Sequence, residues 1–366
     1  VSSRRFRLTY FMRRTLLALI AALLLFVQAS VRADDLAYTR FGDFLEALRV
    51  QAGIPGMVAA VVGRSAVQWE RVFGTADLDK NIPTRIDTPF HLDGLTEVFS
   101  ASLLLRCVEE GHLSLDDLIG RFAPDSEDAS LTVHQVLTHT SGPADSPLYQ
   151  FRPDRLEPLS LAIEACREES YRKAVGRMFD MSGMFDSVPG ADVTAMPHLV
   201  PPAEWPGDSA LERYTAALTR LAVPYTVDLQ TRRISPSQYT PTTLTTAAGA
   251  ISTVQDLEKF DLSLKNGILL KPETIAMAQR APTGATGQKL PHAIGWFAQN
   301  YLGENVYWQF GMTDNGGSAL MVIWPTRSLT FIVLANSNGL AKPFNLAAGD
   351  LRATPFGKLF LNLFIR

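Results

Sequence analysis

The residues at the start of one apolar segment are the first candidates for chemistry in this sequence. In FHLDGLTEVFSASLLLRCVEEGHLSLDD, residues 90–117, Asp93 and Glu97 flank Gly94 just before the apolar run. Two carboxyl groups so placed could act as a general acid and base. They could also serve the helix itself, with Gly94 as the N-cap and Glu97 bonded back to its N–H group. Because the sequence identifies no further polar partner for the two acids, it favours the capping interpretation.

A serine with a lysine one helical turn later would offer a different chemistry, covalent acyl transfer. Within residues 34–366 this spacing occurs once, at Ser170 and Lys173, inside the helical stretch LAIEACREESYRKAVGRMF. Two fixed residues in four arise easily by chance, and Ser170 does not begin a buried helix. The sequence also has no Gly-x-Ser-x-Gly segment, the strand-to-helix turn that exposes a hydrolase serine. The Ser170–Lys173 pair is therefore not expected to be catalytic.

Hydrophobic periodicity predicts the helices that position these residues. Residues 95–110 are apolar on nearly all sides, which predicts a central buried helix. Upstream, a helix ending at Gly53 is predicted by one apolar face, formed by Phe41, Phe44, Leu45 and Leu48. Capping pairs open two further helices, at Thr132 with Gln135 and at Ser252 with Gln255.

Strand-like segments occur near both ends of the sequence. MVAAVVG and VQWERVFG precede the central helix, and HAIGWFAQ, ENVYWQF, SALMVIWP and LTFIVLANS follow within residues 292–337. Residues 185–245 are rich in proline and predict loops that cross a helical subdomain. Strands at both ends with helices between them predict an α+β fold, whose antiparallel sheet is built from both chain ends.

Composition indicates a globular protein with a sizeable core. The 366 residues are 46% hydrophobic and 19% charged, with a formal net charge of -3. Nucleic-acid binding is disfavoured, because it would require a clustered basic face. The basic residues cluster only at the extreme N-terminus.

The N-terminal segment has the layout of a secretory signal peptide. Five arginines precede the apolar run LLALIAALLLFV, whose 12 residues are fewer than the ~20 that span a bilayer. Small residues at Val31 and Ala33 predict cleavage after Ala33, giving a signal peptide of residues 1–33 and a mature domain of residues 34–366. A more regular signal-peptide pattern begins at Met12, so residues 1–11 are interpreted as an extension upstream of the true translation start. The alternative is an uncleaved membrane anchor; after cleavage no stable membrane span is expected.

Cysteine usage leaves the redox state open. Export permits a disulfide between Cys107 and Cys166, but two buried thiols in helical segments are more often packing residues, and the sequence favours that interpretation. No metal-binding spacing is present, and no cofactor is expected.

Five segments, in order, resemble the serine β-lactamase-related family of class C β-lactamases, penicillin-binding DD-peptidases and related esterases. They are FHLDGLTEVFSASLLLRCVEEGHLSLDD, LTVHQVLTHTSG, SLAIEACREESYRKAVGRMFDMSGMFDS, AAGAISTVQDLEKF and the strands from GWFAQ to LANSNG, spanning about residues 37–340. The resemblance implies a β-lactamase/transpeptidase-like fold with an inserted helical subdomain. It also implies a serine and lysine on the buried helix, a Tyr-x-Asn element and a His/Lys-x-Gly strand element.

The chain departs from this pattern at each element. The matching positions are Gly94 and Glu97 for the serine and lysine, Phe151 and Pro153 for the tyrosine and asparagine, and Gln309 and Gly311 for the strand element. Only Gly311 keeps the family's residue, and no Tyr-x-Asn occurs anywhere in the chain. The resemblance therefore implies a family member whose catalytic residues are lost, with none expected to be catalytic.

The expected function is an exported pseudoenzyme that binds a cell-wall peptide, a small-molecule ligand or a protein partner of the envelope. One alternative is an enzyme of the family, of esterase, β-lactamase or peptidase type, that uses non-standard residues; another is a structural envelope protein. The candidate binding residues are Glu97, Arg152 and Gln309, with Glu97 and Arg152 as a charged pair in a cleft walled by Phe151 and Phe310. Otherwise Arg152 points into solvent and Glu97 caps its helix. His139 resembles a structural histidine of the family.

Cleavage of the signal peptide is testable by intact-mass measurement. Protein isolated from the cell envelope should begin near Asp34, because signal peptidase requires the small residues that precede this position. A mass that retains residues 16–27 would instead indicate a membrane anchor.

Overall fold

The computed structural model describes residues 35–195, 209–228, 234–237 and 243–364. The predicted signal peptide, residues 1–33, and its cleavage site lie outside these ranges. Within them, no helix is both long enough and apolar enough to cross a membrane.

The predicted helices and strands occur in the predicted order, with further short elements between them, and the strand predicted from His292 begins at Phe297. The helices are α1 (35–52), α2 (Glu97–Glu109), α3 (Val133–Leu137), α4 (Leu159–Arg167), α5 (Tyr171–Met181), α6 (Asp192–Ala195), α7 (Ala210–Leu218), α8 (Val254–Lys265), α9 (Pro272–Ala278) and α10 (Pro355–Leu363). The strands are β1 (Gly56–Val62), β2 (Val67–Asp77), β3 (Ile82–Pro83), β4 (Phe90–His91), β5 (Thr140–Ser141), β6 (Leu148–Tyr149), β7 (Tyr225–Val227), β8 (Ile234–Pro236), β9 (Ile251–Ser252), β10 (Phe297–Tyr301), β11 (Glu304–Met312), β12 (Ser318–Trp324) and β13 (Leu329–Ala335).

A seven-stranded antiparallel sheet joins the two ends of the chain. Its order is β10-β11-β12-β13-β1-β2-β3, so that β1 lies between β13 and β2. The pairing of β1 with β13 aligns Met57 with Ala335 and Val62 with Thr330. The predicted α+β arrangement, with one antiparallel sheet built from both chain ends, is confirmed.

Helices cover both faces of this sheet. Alternation along β1 sends Val58 and Ala60 into a core shared with α2, α4, α5 and α8. Its other residues, such as Ala59 and Val61, pack with α1 and α10. Because both faces are covered, every residue of β1 is buried, which explains its continuous apolar sequence.

The central helix α2 is buried along almost its whole length, as predicted. It begins directly after a 3₁₀ turn, Asp93–Thr96, and neither segment has a side-chain cap. The predicted bond from Glu97 back to Gly94 is therefore wrong, because Glu97 is itself the first residue of α2 and its carboxylate points elsewhere.

Other local predictions have mixed outcomes. The capping box of Thr132 and Gln135 is confirmed at α3. The cap of α8 is Thr253 rather than Ser252, because Ser252 is paired with Phe90 in a short two-stranded sheet. Ser170 lies at the N-cap of α5 rather than inside a helix, and its hydroxyl accepts the backbone N–H of Lys173. Phe44, predicted on the apolar face of α1, is exposed.

A disulfide joins Cys107 of α2 to Cys166 of α4. The packing interpretation of these two cysteines is therefore wrong. The two helices are packed side by side, so that Cα atoms 59 residues apart in sequence lie 6.1 Å from each other, within the range that a disulfide can bridge. Sequence spacing carries no information on this approach.

Replacing both cysteines by alanine should lower the free energy of unfolding by about 2–4 kcal/mol, because the cross-link restricts a long loop of the unfolded chain. Guanidinium unfolding of the two proteins measures the difference. Reductant should destabilise the wild type and leave the double variant unchanged; equal stability of wild type and variant would contradict the expectation.

Candidate functional site

The three elements that carry the family positions meet at the start of α2. Glu97 occupies the first turn of this helix. In β11, Trp308 and Phe310 belong to the core on the α1 and α10 side, so alternation turns Gln309 toward α2. The Gln309 Nε2 atom donates to Glu97 Oε2 at 3.2 Å. Residues 212 positions apart are thereby joined inside the protein.

Two histidines complete a polar cluster around Glu97. The Nε2 atom of His139 lies 3.4 Å from Glu97 Oε1, and the Nε2 atom of His292 lies 3.7 Å from the same oxygen. The two imidazole rings meet edge to face at 4.5 Å between centroids. We call Glu97, His139, His292 and Gln309 the Glu97 cluster.

Loop conformations hold the two histidines in place. His139 follows α3 in the left-handed region, with φ of 50°, a conformation that costs energy for a non-glycine residue. Its Nδ1 atom accepts the backbone N–H of Arg152 at 3.1 Å. His292 precedes β10, and its Nδ1 atom lies 2.7 Å from the carbonyl oxygen of Ala293, to which it donates.

The Glu97 cluster is sealed from solvent. Glu97 and His139 are each 2% exposed, and His292 and Gln309 are 0% exposed. Burial lowers the pKa of His292 well below its ordinary value, and the neighbouring His139 lowers it further, so this imidazole is neutral near pH 7. Burial, with the charge of Glu97, raises the pKa of the Tyr149 phenol.

Phe151 closes the cluster on the side where the family has a tyrosine. Its ring centroid lies 4.6 Å from that of His139 and 5.8 Å from that of Phe310. Pro153 begins a short 3₁₀ helix, Pro153–Leu156, and offers no amide side chain. The predicted apolar wall of Phe151 and Phe310 is present, but it covers a closed cluster rather than lining an open cleft.

Backbone packing is too tight to admit a side chain at position 94 without a backbone shift. A Cβ atom added to Gly94 would lie 2.9 Å from the carbonyl oxygen of Phe310. A Cβ atom on Gly311 would overlap the carbonyl oxygen of Leu92. The end of β11 therefore lies directly against the turn that begins α2.

A family model described as Beta-lactamase matches residues 41–354. This chain belongs to the β-lactamase family. Its β-lactamase/transpeptidase-like fold, expected from the resemblance of five ordered segments, is confirmed.

Known relatives include enzymes. Esterase EstB of Burkholderia gladioli is 35% identical over 120 residues, 31% of this chain and 30% of the esterase. Protein flp of Staphylococcus aureus is 23% identical over 308 residues, 78% of this chain and 60% of that protein. The octameric penicillin-binding protein homologue from Pyrococcus abyssi aligns with a TM-score of 0.67 at 19% identity, covering 82% of this chain and 74% of that chain. The chain thus spans less than two thirds of the length of both sequence relatives.

The predicted pair of Glu97 and Arg152 does not form. The Arg152 Nε atom donates to both carboxylate oxygens of Asp154, at 2.8 and 3.0 Å, and the arginine side chain is 43% exposed. Only the backbone of Arg152 reaches the Glu97 cluster, through its bond to His139. The prediction failed because Asp154, two residues after Arg152, is a nearer partner for the guanidinium than the buried Glu97.

A separate cavity of about 740 Å³ lies further along α2. Its walls include Ala101, Leu105, Trp296 and Tyr307, with Arg64 among the lining residues. Its volume falls within the range of about 300–1,000 Å³ usual for small-molecule pockets. None of the positions that match the family's catalytic motifs lines it.

Gln309→Leu should lower the free energy of unfolding by about 2–3 kcal/mol, because a buried carboxylate oxygen loses its donor. Arg152→Ala is the matched control. It removes only an exposed ion pair and keeps the backbone bond to His139, so it should cost no more than about 1 kcal/mol. Urea unfolding measures both; a larger loss for Arg152→Ala would restore a buried role for its side chain.

Proposed function

We propose that this protein is an exported, non-acylating member of the β-lactamase family, which binds a cell-envelope ligand or partner protein. The observation that carries the proposal is the packing at Gly94. The position that matches the nucleophile has no hydroxyl, and a Cβ atom there would lie 2.9 Å from the carbonyl oxygen of Phe310, so that the backbone would have to shift to admit a side chain.

The charge of the side chain at position 97, three residues after Gly94, also opposes acyl transfer. The family places a cationic lysine where this chain has Glu97, and a carboxylate would repel the oxyanion that forms when an acyl group is attacked. Phe151 lacks the hydroxyl group of the family's tyrosine, and its ring excludes water. Each change removes a group that carries a proton in the family's reaction.

Export is supported by the arginine-flanked apolar segment and by the disulfide between Cys107 and Cys166. Disulfides form and persist in oxidising compartments and are rare in the cytosol. Both features favour a periplasmic or extracellular location.

The site of binding is a surface other than the Glu97 cluster. Glu97 and Gln309, candidate binding residues from the sequence, are buried and bonded to each other. A wall peptide or small molecule would reach them only if the loop at Phe151 moved. The cavity beside Trp296 and Tyr307 is open to a ligand without such movement.

The second candidate function is hydrolysis by non-standard residues. It is favoured by membership of the family and by the named esterase relative. The pairing of Glu97 with His139 is also the kind of contact that general bases make. Against it, both side chains are closed off from solvent, and no hydroxyl group belongs to the Glu97 cluster.

Covalent labelling distinguishes the two functions. Incubation of the mature protein with a fluorescent penicillin or a fluorophosphonate should give no stoichiometric adduct, and ester turnover should remain at background. In serine hydrolases, loss of the nucleophile lowers the rate by about 10⁶-fold. Labelling is measured by intact mass and gel fluorescence, with an active family enzyme as the positive control.

A stoichiometric adduct at any residue would overturn the non-acylating proposal, and an adduct at Ser170 would identify the pair with Lys173 as functional.

The double variant Gly94→Ser, Glu97→Lys provides a further check. It should be less stable than the wild type and should also remain unlabelled, because the carbonyl of Phe310 leaves no room for a hydroxymethyl group at position 94. Efficient labelling of this variant would show that the site is open.

A further inference from the structure

We infer that Glu97, His139 and His292 form a buried binding site for one transition-metal ion, with Zn²⁺ as the best-matched ion. These three residues place one ligand atom each within 4.8 Å of the others. The site is new relative to the non-acylating function and does not depend on it, so either can fail without the other.

The contacts within the Glu97 cluster leave polar atoms without hydrogen bonds. Among the described residues, Glu97 Oε1 and His139 Nε2 have no hydrogen-bond partner, although both are buried. His292 Nε2 faces the same Glu97 oxygen at 3.7 Å. Because His292 donates through Nδ1 to a carbonyl, its Nε2 atom carries a lone pair; the Gln309 Nε2 atom lies 3.4 Å from it, and Glu97 Oε1 and His292 Nε2 are two acceptors that face each other. A cation between them would satisfy both.

The spacing of the ligand atoms fits a small metal ion. Around a tetrahedral zinc ion with bonds of about 2.1 Å, neighbouring ligand atoms lie about 3.4 Å apart. The distances from Glu97 Oε1 to the imidazole nitrogens are 3.4 Å for His139 and 3.7 Å for His292. The two imidazole nitrogens lie within 4.8 Å of each other, and a non-protein ligand such as water would complete the coordination.

The surroundings resemble those of metal ligands. The Nδ1–H of His292 is held by the carbonyl of Ala293 at 2.7 Å, the kind of outer bond that orients a metal-bound imidazole. Gln309 donates to Glu97 Oε2 and leaves Oε1 available. Two nitrogens and one carboxylate select zinc-like ions over Mg²⁺ and Ca²⁺, which prefer oxygen ligands.

Metal binding requires that the Gln309 Nε2 atom give up its 3.4 Å contact with His292 Nε2, and it requires a change at His139. Its Nδ1 atom now accepts the N–H of Arg152, which places the ring proton on Nε2. Coordination through Nε2 moves this proton to Nδ1, and the Arg152 amide must turn away. Loss of one such hydrogen bond lowers affinity by about tenfold, against the seven or more orders of magnitude that structural zinc sites reach. Metal binding is therefore coupled to the loop that carries Phe151 and Arg152.

The test uses the full chain, freed of metal by EDTA and titrated with ZnCl₂. One zinc per chain should remain after gel filtration, and the melting temperature should rise with zinc concentration. Glu97→Gln should lower the affinity by more than 100-fold, and Gln309→Leu by about 10- to 100-fold. X-ray absorption of the zinc-loaded wild type should show two imidazole ligands. This measurement uses no variant, so it does not depend on whether a variant folds.

The matched control is His112→Ala. His112 lies with Glu110 and Cys166 in an exposed cluster of similar size, but that sulfur is already in a disulfide. This variant should keep wild-type zinc affinity. Absence of zinc binding by the wild type, binding unchanged by Glu97→Gln, or binding lost in His112→Ala would overturn the assignment.

Hydrogen exchange tests the coupling to the loop. The backbone amide of Arg152 should exchange faster in the zinc-loaded protein than in the metal-free protein. Unchanged protection of this amide would exclude His139 as a ligand and would overturn the three-residue site.

Discussion

The arrangement of the site depends on one close contact between backbones. Near its end, β11 lies against the turn that begins α2, with Gly311 beneath the carbonyl of Leu92 and Gly94 beneath that of Phe310. A side chain at either glycine would separate the two segments. Gln309, two residues before Gly311, must then face the first turn of α2, where Glu97 projects toward the strand.

This contact places a carboxylate where it cannot be hydrated, and the surrounding loops supply its partners. A buried ion without polar contacts would cost several kcal/mol. Gln309 provides a direct hydrogen bond, and the Nε2 atom of His139 lies 3.4 Å from the other carboxylate oxygen. His292 approaches the same oxygen at 3.7 Å from a second loop, but with an acceptor nitrogen. His139 has a left-handed backbone conformation. Such strained conformations persist where the surrounding structure holds them, as it does here beside Glu97. Glu97 and Gln309, which replace the family's catalytic residues, are thus joined to each other inside this cluster.

Sequence patterns could predict the elements of the fold and half of the Glu97 cluster. The family resemblance, with its register set by the apolar helix and the last strands, named Glu97 and Gln309 as binding residues of one site; the structure joins the two side chains but buries them. His292 was missed because the sequence placed it at the start of a strand, whereas it lies in the loop before β10 and the loop conformation sets the direction of its side chain. His139 was expected only as a structural residue, and nothing in its local sequence reveals its distance to Glu97. The partner of Arg152 was predicted wrongly because the direction of a loop side chain depends on local competition.

Cysteine pairing was also beyond the sequence, although its effects extend to the site. The bond between Cys107 and Cys166 closes a covalent ring that contains both His139 and Phe151. One end of this ring is on α2, the helix that begins with Glu97. In an unfolded but oxidised chain, these residues stay tethered near that helix at a high effective concentration, because the closed ring cannot extend. The disulfide thus restricts the conformational search by which His139 and Phe151 pack over Glu97 to a closed ring. A chain made under reducing conditions would lose that kinetic advantage.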